Sequence, residues 1–219
     1  MSLHKQLRFM FVAGSVNCLK GIEETLMSAI RGGITSFQWR EKSGESILTE
    51  NERIELGTRL RDLCRQQDIL FIVNDDVQLA AQLEADGVHL GQEDMSLTKA
   101  RKLLPHGTII GQSTHNVEEA LDAEYEGADY IGVGPMFFTQ TKQDLHPVIG
   151  PSLIMDMRRA GIKLPIVGIG GIHAERVTPV VKAGADGVAV IHAIASSELG
   201  AERGAVHIYK QLAPWYEKS

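Results

Sequence analysis

Short apolar runs recur along the chain, and each leads into a stretch whose apolar positions have helical spacing. The runs lie at 9–13, 36–40, 69–73, 87–90, 108–112, 129–133, 165–169 and 187–191. The helical stretches follow at 21–31, 50–66, 77–84, 97–104, 117–127, 151–160, 174–183 and 204–215. Strict alternation of this kind predicts a parallel sheet. The runs are apolar almost throughout, as strands covered on both faces must be. Eight such units close into a (β/α)8 TIM barrel. The fold class expected is therefore α/β, with residues 1–219 forming one barrel domain. An open doubly wound sheet is the competing arrangement, but no GxGxxG follows the first strand.

Weaker signals agree. "EADGVHL", "EGADYIG" and "AGADGVAV" repeat a Gly-Ala-Asp or Ala-Asp-Gly turn between a helix and the next strand. Glycine suits a helix C-terminus, where left-handed backbone is needed. No Pro- or Ser-rich linker interrupts the series. The long polar strand-to-helix loops are 43–50 and 138–150.

A barrel of this class places its chemistry at the C-terminal ends of its strands. The second strand ends in Gln38-Trp39-Arg40-Glu41-Lys42, and alternation puts Gln38, Arg40 and Lys42 on one side. Gln both donates and accepts and can read a heterocycle edge. Arg and Lys suit an anionic phosphate. A solvated loop with an Arg40–Glu41 ion pair is the plainer alternative. The third strand ends in Asn74-Asp75-Asp76 and the fourth in His89-Leu90-Gly91-Gln92-Glu93-Asp94. Asp75 and Asp94 could share one hard cation such as Mg²⁺, with phosphate oxygens completing its shell. Each could equally cap the helix that follows. His89 and His115 lack metal-ligand spacing, and a packed barrel histidine is the better reading of each.

The fifth strand ends in Gln112-Ser113-Thr114-His115-Asn116, with Asn116 placed to cap a helix. The sixth runs into "ADYIGVGPMFFTQTK", where a buried strand gives way to Thr139, Thr141 and Lys142. The seventh ends in Gly168-Ile169-Gly170-Gly171-Ile172, and the eighth in Val190-Ile191-His192. Glycines there let backbone N–H groups approach a phosphate. Two anion regions result. One, after the seventh and eighth strands, is uncharged and suits a monophosphate. The other combines Arg40, Lys42 and Lys142 with Asp75 and Asp94. Cations beside acids suit a pyrophosphate bridged by Mg²⁺.

Composition narrows the partners. The chain has 219 residues, 43% of them apolar, 23% charged, with a net charge of −6. That balance argues against nucleic acid, which leaves a basic footprint, and still permits a local cationic pocket. Cys18 and Cys64 form no CxxC pair, which fits a reducing, cytoplasmic setting. No apolar run is long enough to span a membrane. The apolar stretch in "MSLHKQLRFMFVAG" reads as the first strand and not as a signal peptide.

The blocks "QWREK", "VNDDVQLA", "ADGVHLGQED", "GQSTHN", "ADYIGVGPMFFTQTK", "VGIGGI" and "GADGVAVI", in this order, resemble the thiamin phosphate synthase family over nearly the whole chain. The resemblance implies a transferase acting on two small molecules. A hydroxymethylpyrimidine diphosphate and a hydroxyethylthiazole phosphate are joined, with Mg²⁺, and pyrophosphate leaves first by a dissociative route. It implies Gln38, Arg40, Lys42 and Asn74 on the pyrimidine diphosphate, Asp75 and Asp94 on Mg²⁺, and Ser113 and Lys142 on the pyrophosphate. Thr139, Thr141, Gly171 and the Ile191 backbone fall on the thiazole phosphate side. It also implies a small homo-oligomer. One departure stands out: His192 occupies a position where the family often has Ser. The stretch after the sixth strand is expected to be a mobile loop hinged at Gly134-Pro135, whose threonines and Lys142 close over the anions after binding. A thiazole tautomerase and a non-catalytic phosphate sensor are the alternatives; neither needs Asp75, Asp94 and Lys142 together.

Overall fold

The computed structural model describes residues 2–18, 20–41, 48–138 and 147–216. Among them, eight parallel strands close into a barrel in sequence order: β1 (Phe9–Ala13), β2 (Ser36–Trp39), β3 (Leu70–Asn74), β4 (Gly87–Leu90), β5 (Ile109–Thr114), β6 (Tyr130–Val133), β7 (Ile166–Ile169) and β8 (Gly187–Val190). β1 pairs with both β2 and β8, which completes the closure.

The helices are α1 (Leu3–Gln6), α2 (Ile22–Arg31), α3 (Glu50–Gln66), α4 (Val77–Gln82), α5 (Leu97–Leu103), α6 (Val117–Tyr125), α7 (Ser152–Arg159), α8 (Val177–Lys182), α9 (His192–Ala195) and α10 (Ala201–Tyr216). Tight 3-10 turns occupy Ser15–Asn17 and Ala174–Arg176. The structure adds α1 and α9, each too short to give a periodic signal. Where the sequence has clear stops the ends fall as expected. Thr49 opens α3 through a reciprocal capping box with Glu52. Asn116 opens α6 by accepting the Glu119 N–H.

Alternation sorts the strand residues into two layers. Phe9, Phe11, Phe37, Trp39, Phe71, Val88, Ile110, Ile131, Ile166 and Val188 face the helices in the larger core. Met10, Val12, Leu70, Ile72, Tyr130, Val167 and Ala189 fill the barrel itself. Gln38 and His89, buried at 4% and 8% exposure, have the inward parity of their strands.

The repeated aspartates clasp the bottom of the barrel. Asp86, just before β4, accepts the Phe71 N–H of β3 at 2.8 Å. Asp129 does the same for Ile110 of β5, and Asp186 for Ile166 of β7, each at 2.8 Å. Thr35, before β2, accepts the Phe9 N–H through its hydroxyl at 2.9 Å. Each odd strand is thus held at its first N–H groups by the residue leading into its even neighbour. Arg101 and Arg158 ion-pair with Asp129 and Asp186 from the helix layer. No helix among the described residues is long and apolar enough to cross a membrane.

Asp129→Ala would leave the Ile110 N–H without its partner and Arg101 without its carboxylate. A loss of about 1–3 kcal/mol is expected in urea unfolding. Glu202→Ala, which breaks the exposed Arg31–Glu202 pair, should stay within about 0.5 kcal/mol of the parent. Equal effects would remove the clasp from the account of the fold.

Candidate active site

The C-terminal ends of the strands form a mouth with two unlike halves. The first half is a cavity of about 610 Å³ over β5 to β8. Ser113, Gly170, Gly171, Ile191 and His192 are among the residues that line it. Its glycines are demanded by space as well as backbone. Gly170 and Gly171 have φ of 98° and 64°, in the left-handed region. A Cβ on Gly171 would lie 2.7 Å from the Phe138 carbonyl oxygen and 2.8 Å from that of Phe137.

The same turn receives the chain that leaves β6. The Met136 N–H donates to the Ile169 oxygen at 2.9 Å, and the Phe137 N–H to the Gly170 oxygen at 3.0 Å. A Cβ on Gly134 would sit 2.2 Å from the Ile169 oxygen. The Gly134-Pro135 segment, with a cis peptide bond, is thus followed by backbone bonds to the end of β7 and the turn after it. Thr139, Thr141 and Lys142 lie outside the described residues, as does Lys42.

The cavity is also not uncharged, as the sequence suggested. Arg176, His115 and His173 line it beside His192. Arg176 donates to the Gly171 carbonyl at 2.9 Å and lies over the Phe137 ring, 4.9 Å from its centroid. It pins the glycine turn from behind while adding positive charge. Its position, a few residues past the glycines in "GGIHAER", was the available signal.

The second half gathers Gln38, Arg40, Asn74, Asp75 and Asp94 at the ends of β2, β3 and β4. Arg40 is 9% exposed, and its N–H continues the β2 ladder to the Ala13 oxygen at 2.9 Å. The solvated-loop alternative for Arg40 does not hold. The Glu41 carboxylate accepts the Ser15 N–H at 2.8 Å, tying β2 to the loop after β1. Asp75 has φ of 64°, unusual for a residue with a side chain, and its N–H reaches the His89 oxygen at 2.8 Å. Asp75 does not cap a helix, because Asp76 caps α4 by accepting the Leu79 N–H at 2.9 Å. Ser96, not Asp94, stands at the start of α5. One Asp94 oxygen accepts the Gly91 N–H at 2.6 Å and closes the loop after β4. Two carboxylates on adjacent loops, with capping carried out by other residues, fit the oxygen-donor chemistry of Mg²⁺.

Between the halves, inside the barrel, lies a polar string. His89 Nδ1 is 2.9 Å from the Tyr130 hydroxyl, and its Nε2 is 3.0 Å from Ser113 Oγ. His89 is thus the packed barrel histidine expected, and it is also joined to a candidate site residue. Nothing local in the sequence marks Tyr130, which reads as one more apolar position of a buried strand.

Residues 9–194 match the family described as thiamine monophosphate synthase. A thiamine-phosphate synthase of Bacillus thuringiensis (strain Al Hakam) is 49% identical over 196 residues, covering 90% of this chain and 89% of that protein. The chain belongs to the thiamine monophosphate synthase family. A relative of the same name from Bacillus velezensis is 50% identical, over 86% of this chain and 83% of its own. A solved structure, the thiamine phosphate pyrophosphorylase of Pyrococcus furiosus, superposes with a TM-score of 0.86 at 36% identity, covering 97% and 98% of the two chains.

Cysteine chemistry takes no part in the mouth. Burial pushes the Cys18 thiol up to about 11, the Thr25 hydrogen bond opposing and the Glu41 charge adding. Burial, then the Asp86 charge, pushes Cys64 up further. Neither is a thiolate near neutrality. The native state keeps these protons above the usual thiol value of 9.0, where the unfolded chain loses them. Stability must therefore fall as pH rises through the window from 9 towards about 11. Thermal midpoints across that window should drop. The drop should be smaller in a Cys18→Ala, Cys64→Ala double variant, and an unchanged drop would contradict the assignment.

Proposed function

We propose that the chain joins hydroxymethylpyrimidine diphosphate to hydroxyethylthiazole phosphate, forming thiamin phosphate and releasing pyrophosphate. What carries this reading, in a chain of this family, is the mouth itself. A glycine-lined cavity for one phosphate adjoins a rim where Arg40 stands with Asp75 and Asp94 for a diphosphate. The whole chain works as one barrel unit, and its two free thiols suit the cytoplasm.

The step is a substitution at the methylene carbon of the pyrimidine. The C–O bond breaks first, and pyrophosphate leaves with the electron pair. The electron-rich aminopyrimidine stabilises the cation, and the thiazole nitrogen lone pair then forms the C–N bond. No protein nucleophile is required, in keeping with the protonated thiols. Gln38 and Asn74 hold and orient the pyrimidine. Arg40, Lys42, Lys142 and Ser113 take up charge that develops on the departing pyrophosphate, which is where electrostatic catalysis acts. Asp75 and Asp94 would hold Mg²⁺, which when bound neutralises pyrophosphate oxygens. Thr139, Thr141, the Gly171 N–H, the Ile191 backbone and His192 receive the thiazole phosphate. His192 replaces a hydroxyl contact by an imidazole N–H. Held apart in the two halves, the substrates meet with the nitrogen facing the carbon.

Purified protein with both substrates should release thiamin phosphate and pyrophosphate with Mg²⁺ and not with EDTA. Metal-independent turnover would remove Mg²⁺ from the reading, and no turnover in either condition would remove the reaction. Lys142→Ala should lower kcat by about a hundredfold while leaving the urea midpoint unchanged. Parental kcat in that variant would contradict its role.

A further inference from the structure

The barrel interior holds a string of polar groups that packing alone does not need. Tyr130 is 1% exposed and His89 8%. A buried hydroxyl and imidazole are costly unless hydrogen-bonded, so their mutual contacts are a built feature. Two glycines make room for them. A Cβ on Gly111 of β5 would lie 2.1 Å from Tyr130 Cζ. A Cβ on Gly132 of β6 would lie 2.9 Å from His89 Cε1. Neither glycine has a positive φ, so space and not backbone freedom requires them.

The string runs Gln38, Tyr130, His89, Ser113, and it has two possible polarities. The buried phenol decides between them. Burial keeps the Tyr130 hydroxyl protonated, with Gln38 opposing, so its proton needs an acceptor. His89 Nδ1, 2.9 Å away, supplies it, and the Tyr130 O–H therefore donates to His89 Nδ1. The imidazole proton then sits on Nε2 and is donated to Ser113 Oγ. With an acceptor site of Ser113 filled from behind, its hydroxyl proton is directed into the cavity that Ser113 lines. Gln92 fixes the same residue a second way, donating to the Ser113 carbonyl oxygen at 2.6 Å.

We infer that His89 is a positioning residue: it sets Ser113 as a hydrogen-bond donor towards the departing pyrophosphate. The role rests on Ser113 contacting pyrophosphate in the proposed reaction. It assigns no substrate contact to His89 itself. Its effect is on orientation, so it appears in kcat more than in the KM of either substrate.

Two experiments test it. In ¹⁵N-histidine-labelled protein without substrate, the resonances that vanish in His89→Gln should report a proton on Nε2 and none on Nδ1. A proton on Nδ1, or on both nitrogens, overturns the polarity and the inference. In turnover, His89→Leu should lower kcat about tenfold or more, a fraction of the loss from removing a direct donor. His89→Gln, which keeps an N–H near the Nε2 position, should restore part of it, and KM should change little. Tyr130→Phe, which keeps the ring, should lower kcat in the same way. Parental kcat in His89→Leu, beside an impaired Ser113→Ala, overturns the positioning role and leaves the proposed reaction standing. Absence of product from the parent protein overturns both.

Discussion

Everything at the mouth depends on register. In a parallel barrel a slip of one residue turns every inward side chain towards the helices. Gln38, Asn74, His89 and Ser113 reach the interior only because Val12 lies opposite Gln38, Asn74 opposite His89, and Ser113 opposite Gly132. The clasps made by Thr35, Asp86, Asp129 and Asp186 hold that register from the opposite end. Each satisfies a backbone N–H that begins a strand, and each can do so in one alignment only. Stability at the bottom and chemistry at the top are thus set by the same pairing.

The interior carries an exception to an otherwise apolar core. Leu70, Ile72, Val167 and Met10 fill much of it. Among them, Gln38, Tyr130 and His89 add polar groups, and Tyr130 and His89 join by a hydrogen bond. Glycines opposite them prevent overcrowding. An apolar filling would be simpler to stabilise. One end of the polar string, Ser113, lines the cavity over β5 to β8.

Much of this was legible in the sequence. The strand and helix succession was, because buried parallel strands and amphipathic helices leave different periods. α3 was found at its true ends from helical spacing alone. The recurring Ala-Asp before a strand was visible as a turn. Its clasp was not, because the bonded N–H lies on the preceding strand, 15 residues away for Asp86 and 20 for Asp186. Tyr130 and His89 escaped for a similar reason: their partnership spans 41 residues. Arg176 escaped because its value comes from the Gly171 carbonyl and the Phe137 ring, which only the fold brings to it. α9 was missed because four residues carry no period.

The central claim is that two anions occupy separate halves of the mouth, with Ser113 between them. A crystal structure with thiamin phosphate, pyrophosphate and Mg²⁺ bound tests it most directly. The account predicts the thiamin phosphate group against Gly171 and Ile191. It predicts pyrophosphate beside Arg40 and Ser113, with the metal on Asp75 and Asp94. Pyrophosphate seated on the Gly170-Gly171 turn, or a metal held away from both aspartates, would contradict it.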